Sequence, residues 1–205
     1  MFLLIVGAGA MGEIIRDCAE NEEIFDRIEM LEPTEKRWPK EKADIIIDFS
    51  HPSVVKDIYE YCRDRGGNIP VVIGTTGQSG DEEEIIKMLA KICPIERKTN
   101  FSRGIEAMNH LALEAEKLLN GCDIGIEEIH HNKKTDSPSG TAKTLCDILE
   151  LPYDRAVSQR LGTMFGQHKI YFALKDEMIE ISHTAYSKKI FAMGAIEAGK
   201  KMLKK

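Results

Sequence analysis

The chain lacks the features that mark membrane proteins, disulfide-bonded scaffolds and nucleic-acid-binding proteins. No uninterrupted apolar run approaches the ~20 residues that a membrane-spanning helix needs. The five cysteines are scattered and form no CxxC pair, which argues against a disulfide framework and against a zinc ribbon. Acidic side chains (34) outnumber basic ones (28), and the net charge of −6 argues against a broad nucleic-acid-binding face.

Glycine (16 residues) and proline (7 residues) are too scarce for a collagen-like or linker-like chain. The hydrophobic content of 42% excludes disorder, and 205 residues can form one large domain or two small ones. The first apolar run follows no basic leader or small-residue cleavage site, so no secretory signal is visible. Together with the scattered cysteines, this predicts a cytoplasmic protein with reduced thiols that contacts neither membrane nor nucleic acid.

The first hundred residues alternate short apolar runs with segments of helical spacing. Continuous apolar runs bounded by glycine are typical of strands buried on both faces of a parallel sheet. The predicted strands are 2–6, 27–32, 43–49 and 69–73. The predicted helices are 13–20, 54–65 and 81–91. This alternation predicts a doubly wound, Rossmann-type α/β half.

After residues 100–102 the pattern becomes that of a smaller α+β half. The predicted helices are 106–120, 142–150 and 189–205. The predicted strands are 124–130, 169–174 and 178–184. The last two strands alternate in polarity across a short polar segment, which indicates a hairpin.

A glycine turn, Gly7-x-Gly9-x-x-Gly12, lies between the first predicted strand and the first predicted helix. In a dinucleotide-binding turn, Gly7 permits the sharp bend, Gly9 lets the backbone approach a pyrophosphate, and Gly12 lets helix and strand pack closely. Ala10 and Met11 complete the turn, and the helix N-terminus supplies amide donors for the anion. The context of strand and helix makes this motif more specific than a lone GxGxxG.

An acidic residue, Glu32, ends the second predicted strand, twenty residues after the last glycine of the turn. A carboxylate there binds the adenosine ribose hydroxyls and repels a 2′-phosphate, which favours NADH. Lys36 and Arg37 follow in the next loop and could receive that phosphate instead. The sequence therefore predicts NADH or NADPH as the cofactor, with NADH favoured.

Small polar residues and aromatic rings stand where three further segments end. In an open α/β sheet the ligand lies beyond the carboxyl ends of the strands. Hydroxyls, amides and an aromatic ring suit the positioning of a nicotinamide, although each segment alone is more often an ordinary turn. The predicted nicotinamide contacts are Phe49, Ser50, Gly74, Thr75, Thr76, Asn100, Phe101 and Ser102.

The strongest constellation is the segment 128–141, which holds two imidazoles, two ammonium groups and a hydroxyl-rich helix start. His130 is a candidate proton donor because an imidazole titrates near neutral pH. Lys134 can stabilise a developing anion. The helix start can bind a carboxylate through its amides and its dipole, and it consists of Ser139, Gly140 and Thr141.

No metal is expected, because the remaining histidines have no carboxylate or cysteine partners at ligand spacing in the sequence. These are His51, His110, His168 and His183. Packing or surface roles are expected for most of them.

These motifs and their order resemble the 4-hydroxy-tetrahydrodipicolinate reductase (dihydrodipicolinate reductase) family over nearly the whole chain. The His-His-x-x-Lys-x-Asp-x-Pro-Ser-Gly-Thr stretch from His130 to Thr141 is highly specific, and the other motifs are individually modest. The modest ones are the glycine turn, Asp48-Phe49-Ser50-x-Pro52, Gly74-Thr75-Thr76-Gly77, Asn100-Phe101-Ser102-x-Gly104, Ser158-x-Arg160-x-Gly162, Gly166-x-His168, His183-x-Ala185 and Phe191-Ala192-x-Gly194-Ala195.

The resemblance implies an NAD(P)H-dependent reductase of the diaminopimelate route to lysine, acting on a small dicarboxylate. It implies that His130 donates the proton and that Lys134 binds the substrate and polarises its imine. The implied carboxylate ligands are His131, Ser139, Gly140 and Thr141. It also implies a dinucleotide domain at 1–101 with 188–205, a substrate and oligomerisation domain at 102–187, and a homotetramer.

Two alternatives remain open from the residues themselves. One is another Rossmann dehydrogenase, but a semialdehyde enzyme needs a nucleophilic cysteine beside a base, and neither Cys93 nor Cys122 has that setting. The other is a non-catalytic NAD(H)-sensing module, which would need the glycine turn but not the histidine and lysine segment. Turnover in the presence of a dicarboxylate acceptor discriminates between the enzyme and the sensor.

Overall fold

The computed structural model describes residues 1–204. The chain folds into two compact units, the first made of Met1–Phe101 with the C-terminal segment from Phe191, the second of Ser102–Ile190. Within residues 1–204, no helix has both the length and the apolar character that crossing a bilayer requires. Lys205, which ends the last predicted helix, lies outside the described residues.

The first unit is a five-stranded parallel sheet with the order β2-β1-β3-β4-β5. Its strands are β1 (Phe2–Val6), β2 (Arg27–Leu31), β3 (Ile45–Asp48), β4 (Val71–Ile73) and β5 (Ile95–Arg97). Its first three helices are α1 (Ala10–Ala19), α2 (Val55–Asp64) and α3 (Asp81–Ala90). All residues of β1, β3 and β4 are buried, as continuous apolar runs require when helices cover both faces of a sheet.

The second unit is a four-stranded sheet with the order β7-β6-β8-β9, in which only the β6–β7 pair of the described strands is parallel. Its helices are α4 (Arg103–Leu118) and α5 (Gly140–Ile148). Its strands are β6 (Asp123–His130), β7 (Ala156–Arg160), β8 (Gln167–Ala173) and β9 (Met178–Thr184). The last helix, α6 (Lys189–Leu203), contributes its small residues to the core of the first unit.

The helix-facing side of β6 positions the functional residues. Ile124 and Ile126 pack with both helices of the second unit in its core. Since side chains alternate along a strand, Glu128 and His130 continue the same row, and both are buried. The row of buried side chains on β6 thus ends in two ionisable residues, Glu128 and His130, next to the start of α5.

The doubly wound sheet and the second α+β unit are confirmed, but two strands were missed. β5 has only three residues and carries two charged side chains, and β7 is a half-exposed edge strand without an apolar run. The bounds of several helices also differ from the predictions. The helix after the glycine turn begins at Ala10 instead of Glu13, and α4 begins at Arg103 instead of Glu106. α5 begins at Gly140 instead of Ala142, because Ser139 accepts a hydrogen bond from the Ala142 amide and caps it.

Candidate active site

The glycine turn has the geometry of an anion-binding cradle. Gly7 has φ +108°, a conformation that favours glycine, and a Cβ there would lie 2.5 Å from the carbonyl oxygen of Phe49. A Cβ on Gly12 would lie 1.9 Å from the Gly7 oxygen, so helix and turn touch. A Cβ on Gly9 would meet no described atom within 4 Å. Two glycines therefore serve packing, and the third leaves open space before α1, where a pyrophosphate fits.

The loop after β3 is tied to the loop after β4 through a buried carboxyl group. Asp48 is 1% exposed and accepts hydrogen bonds from the Ser50 amide and hydroxyl. The Ser50 amide also donates to the hydroxyl of Thr75, at 2.8 Å. Burial raises the pKa of Asp48 to about 6, against the lowering effect of hydrogen bonds from Ser50 and Thr75. Asp48 was not among the predicted site residues, although an acidic residue that ends a buried apolar strand is a signal that could have indicated it.

Two aromatic rings and a glycine lie together at the same end of the sheet. A Cβ on Gly74 would lie 2.2 Å from the ring of Phe49. The rings of Phe49 and Phe101 have their centroids 5.9 Å apart. Of the other predicted contacts, Thr76 is exposed, and Asn100 precedes Phe101 in the same unit. Ser102 belongs to the second unit, where its hydroxyl caps α4.

Glu32 directly follows β2, as the turn motif predicts. Its carboxylate accepts hydrogen bonds from the amide and the hydroxyl of Thr34, at 3.4 and 3.2 Å. Both contacts use Oε1, and the residue is half-buried. The carboxylate is thus held at the carboxyl edge of the sheet by its own turn.

In the second unit a buried carboxylate, Glu128, lies at the centre of the site. Its Oε1 accepts hydrogen bonds from the Ser139 amide at 3.0 Å, the Ser158 hydroxyl at 2.7 Å and the guanidinium of Arg160 at 3.1 Å. Its Oε2 lies 3.5 Å from Nδ1 of His130 and 3.7 Å from Nε2 of His168. The two rings meet edge to face, with centroids 5.1 Å apart.

Sequence reasoning missed Glu128, Ser158, Arg160 and His168 as parts of this site. His168 is 3% exposed, but it faces a carboxylate instead of only packing. The register of β6 against β8 places Glu128 directly opposite His168, across forty residues of chain. The spacing of Glu128 and His130, two residues apart on one strand, is the local signal that could have placed both on one face.

The environment of the two ionisable groups on β6 shifts both pKa values downward. Burial alone would raise the pKa of Glu128, but the nearby His168 ring and the hydrogen bonds from Ser139 and Ser158 hold it well below its ordinary value. Burial and then the charge of His168 lower the pKa of His130 to about 4, although Glu128 favours its charged form. The expectation of an imidazole that titrates near neutral pH is therefore wrong for His130 in this structure, because the ring is buried among cationic groups.

The segment after β6 turns at once. The amide of Lys134 donates to the carbonyl of His131, at 3.1 Å, so the strand direction ends with His130. Arg160 stabilises this turn by donating to the carbonyls of Lys134 and Asp136. The ammonium of Lys134 lies 2.8 Å from the carboxylate of Asp136 and is partly exposed. Lys134, the predicted catalytic cation, thus forms an ion pair with Asp136 in the turn that follows His130.

The start of α5 uses its polar residues for its own geometry as well as for binding. Ser139 is 2% exposed, its hydroxyl caps the helix, and its amide donates to Glu128. Gly140 and Thr141 form the first turn, and Thr141 is buried. Amides of a helix N-terminus point along the axis, so this turn can accept a carboxylate.

The ligand atoms of Glu128, His130 and His168 all lie within 4.8 Å of one another. This spacing resembles that of metal ligands, but the carboxylate already pairs with the permanent cation of Arg160. Glu128, His130, His168 and Arg160 thus form one cluster of ionisable groups.

Comparisons with known proteins identify relatives over the full chain. A family model described as dihydrodipicolinate reductase, N-terminus, matches residues 1–101, and one described as dihydrodipicolinate reductase, C-terminus, matches residues 104–205. A 4-hydroxy-tetrahydrodipicolinate reductase of Staphylococcus saprophyticus is 36% identical over 234 residues, covering 99% of this chain and 95% of that protein. The enzyme of the same name from Thermosipho africanus is 37% identical, covering 96% and 88%.

Solved structures share the fold. A dipicolinate-bound dihydrodipicolinate reductase from Paenisporosarcina sp. TG-14 superposes with a TM-score of 0.77 at 20% identity, covering 100% of this chain and 95% of that one. An aspartate semialdehyde dehydrogenase II from Vibrio cholerae superposes with a TM-score of 0.59 at 11% identity, covering 98% and 97%. The fold is thus shared with a structure named as a dehydrogenase as well.

Proposed function

The chain belongs to the dihydrodipicolinate reductase family, and on that premise we propose how its own residues carry out the reaction. The activity is the NAD(P)H-dependent reduction of 4-hydroxy-tetrahydrodipicolinate, or dihydrodipicolinate, to tetrahydrodipicolinate in the diaminopimelate route of lysine biosynthesis. The observation that carries the assignment of residues is the cluster of Glu128, His130 and the α5 start, with Lys134 on the adjoining turn.

The first unit binds the dinucleotide. The glycine turn, at Gly7 and Gly9 to Gly12, would hold the pyrophosphate, because Gly9 leaves open space before the α1 amides. Glu32 at the end of β2 would bind the adenosine ribose. The nicotinamide, which would supply the hydride, would be held by a set of loop residues. These are Phe49, Ser50, Gly74, Thr75, Thr76, Asn100, Phe101 and Ser102.

The second unit binds the dicarboxylate. The amides at the start of α5, with His131, hold its carboxylates, and the residues of that start are Ser139, Gly140 and Thr141. A dianion is concentrated there because Lys134 and Arg160 add positive charge to an otherwise acidic chain. Lys134 binds the substrate and polarises the ring imine, and this stabilises the charge that develops during reduction.

His130 delivers the proton that completes the reduction. Its ring is neutral in the free protein at neutral pH, since burial and neighbouring cations lower its pKa to about 4. A bound dianion favours the charged form of a nearby imidazole, so substrate binding prepares the donor. The proton then quenches the electron pair left on the substrate by hydride addition.

The activity is tested by following NADH and NADPH oxidation at 340 nm, with freshly prepared 4-hydroxy-tetrahydrodipicolinate as acceptor. We expect turnover with at least one nucleotide, and competitive inhibition by pyridine-2,6-dicarboxylate, a planar dianion that fits the α5 start. A flat trace with both nucleotides, in protein that binds them, would instead favour an NAD(H)-sensing module.

Cofactor choice depends on Glu32. Replacing it with alanine removes the carboxylate that repels a 2′-phosphate, while Lys36 and Arg37 remain nearby. We expect the ratio of kcat/KM for NADH to that for NADPH to fall about tenfold, or ~1.4 kcal/mol. Glu23→Ala, an exposed acid before β2, is the matched control and should leave the ratio unchanged. An unaltered ratio in Glu32→Ala would remove this residue from the cofactor site.

The protein is proposed to be a cytoplasmic homotetramer assembled through the sheets of the second unit. In support, Val157 and Met178 are 59% and 58% exposed, and alternation along β7 and β9 places them on the sheet face away from α4 and α5. Light scattering of the purified protein measures the subunit number, and a monomer at micromolar concentration would contradict the proposal.

A further inference from the structure

The Glu128 carboxylate has one oxygen whose role the proposed function leaves unassigned. Glu128 is fully buried, and its Oε1 already accepts three hydrogen bonds. Its Oε2 has no hydrogen-bond partner among the described residues, and neither has Nδ1 of His130. These two unpartnered atoms face each other at 3.5 Å.

The two nitrogens of the His130 ring have different surroundings. Nδ1 faces the carboxylate of Glu128. Nε2 lies beside Gly166, where a Cβ would come within 3.0 Å of it. Because residue 166 is glycine, no side chain from this position fills the space next to Nε2, whereas Nδ1 is buried.

A carboxylate facing one imidazole nitrogen determines which nitrogen carries the hydrogen. An ionised carboxylate only accepts hydrogen bonds, so the neutral ring places its hydrogen on Nδ1. Leaving a buried donor and acceptor unpaired is unfavourable, which favours closing the 3.5 Å gap. Catalytic hydrogen bonds of this kind are often long before substrate binds.

We propose that Glu128 is a positioning residue that holds the His130 ring with Nδ1–H directed at its Oε2 and with Nε2 directed at the substrate. Through Oε1 the same carboxylate holds the amide of Ser139, and so it fixes the start of α5 relative to the ring. This inference rests on the proposed role of His130 as proton donor. One buried side chain thereby aligns the proton donor with the carboxylate-binding turn.

The proton balance follows from this orientation. The charged ring gives its Nε2 proton to the substrate carbon that carries the electron pair left by hydride addition, and the N–H bond breaks as the C–H bond forms. The ring returns to the neutral form with hydrogen on Nδ1. The other titratable or charged groups that face His130 are His168 on β8, Arg160 on β7 and Lys134 in the following turn, and a positive charge on any of them favours the neutral form of His130. Glu128 alone among these groups favours the charged donor.

Glu128→Gln provides a test because it keeps the shape but reverses the polarity at one atom. Three groups donate hydrogen bonds to Oε1, so the glutamine side chain is expected to place its oxygen there. Its NH₂ group then takes the position of Oε2 and donates toward Nδ1 of His130. The variant ring should then carry its hydrogen on Nε2. Glu127→Gln is the matched control, since Glu127 lies on the opposite face of β6 and accepts from Gln159 and Tyr171.

The first measurement is the tautomer of His130, from the ¹⁵N chemical shifts of its ring in histidine-labelled protein at pH 7.5, assigned by the loss of its signals in His130→Asn. We expect the Nδ1–H form in the wild type and in Glu127→Gln, and the Nε2–H form in Glu128→Gln. A wild-type ring with its hydrogen on Nε2 would overturn the proposal even if Glu128→Gln did not fold.

The second measurement is kinetic. We expect kcat to fall at least tenfold in Glu128→Gln, with the KM for the nucleotide unchanged, and to stay at the wild-type value in Glu127→Gln. In the His130→Asn background the same substitution should cause no further loss, whereas an additive loss would show that Glu128 acts independently of His130. An inactive wild type would contradict the proposed function alone, because the tautomer measurement does not depend on turnover.

Discussion

His130→Asn and Lys134→Ala are each expected to reduce kcat by about 10²–10⁴-fold, the range that positioned acid–base groups contribute. In His130→Asn the side chain keeps a polar group but cannot deliver a proton from Nε2. In Lys134→Ala the imine loses its polarising cation, and Asp136 loses its partner at 2.8 Å, so the local charge becomes more negative. The KM for the dicarboxylate should therefore rise in Lys134→Ala and change little in His130→Asn.

Steady-state kinetics with each variant, together with fluorescence titration of the reduced nucleotide, measure these effects. Nucleotide affinity should stay within about twofold of wild type, because both residues belong to the second unit. Lys133→Ala is the matched control for the lysine, since Lys133 is its exposed neighbour in sequence. Full activity in either His130→Asn or Lys134→Ala would remove that residue from the mechanism.

Alanine substitutions in the glycine turn are expected to separate packing from ligand binding. A Cβ on Gly12 would lie 1.9 Å from the Gly7 oxygen, so Gly12→Ala must displace α1 from the turn. Overpacking of this kind costs about 1–3 kcal/mol, and Tm falls by roughly 2–4 °C for each kcal/mol in a chain of this size. Nucleotide affinity should fall as well, because the amides of α1 move.

Gly9→Ala should behave differently. A Cβ at this position meets no described atom within 4 Å, and its backbone is in an extended conformation that alanine adopts. Stability should change by no more than about 1 kcal/mol, the usual difference at a helix N-cap. The Kd for NADH should nevertheless rise about tenfold or more, since the methyl group fills the space assigned to the pyrophosphate.

Thermal unfolding and nucleotide titration of the two variants measure both effects side by side. Gly125→Ala is the control, because a Cβ at Gly125 in β6 also meets open space but lies in the other unit. The pyrophosphate assignment fails if Gly9→Ala binds NADH as tightly as Gly125→Ala does.

Some elements of this fold were predictable from local sequence patterns, and others were not. The buried strands of the first unit were predictable because continuous apolar runs bounded by glycine reflect burial on both sheet faces. β5 was missed because a three-residue edge strand with two charges carries no such pattern. β7 was missed for a similar reason, since only its first residue is buried.

The ionisable groups show the same contrast. His130 and Lys134 could be predicted as candidates because they stand in one short segment with a helix start. Glu32 could be predicted as a candidate because it ends a strand at a fixed distance from the glycine turn. The hydrogen bonds that connect Asp48 to Thr75 through the Ser50 amide could not be predicted, because they depend on the parallel pairing of β3 and β4. The lowered pKa of His130 could not be predicted from the sequence, because it depends on the burial of the ring in the folded protein.

The amino-acid sequence on its own determined the doubly wound sheet and the glycine turn, and it offered His130 as the candidate proton donor, because each depends on residues that are neighbours along the chain. Tertiary structure decided which groups surround that donor. Register between β6 and β8 placed Glu128 opposite His168. The parallel pairing of β6 with β7 placed Arg160 beside His130, where its guanidinium donates to Glu128. Strand register and burial arise from contacts between distant segments, and those contacts determine which ionisable groups surround the His130 ring.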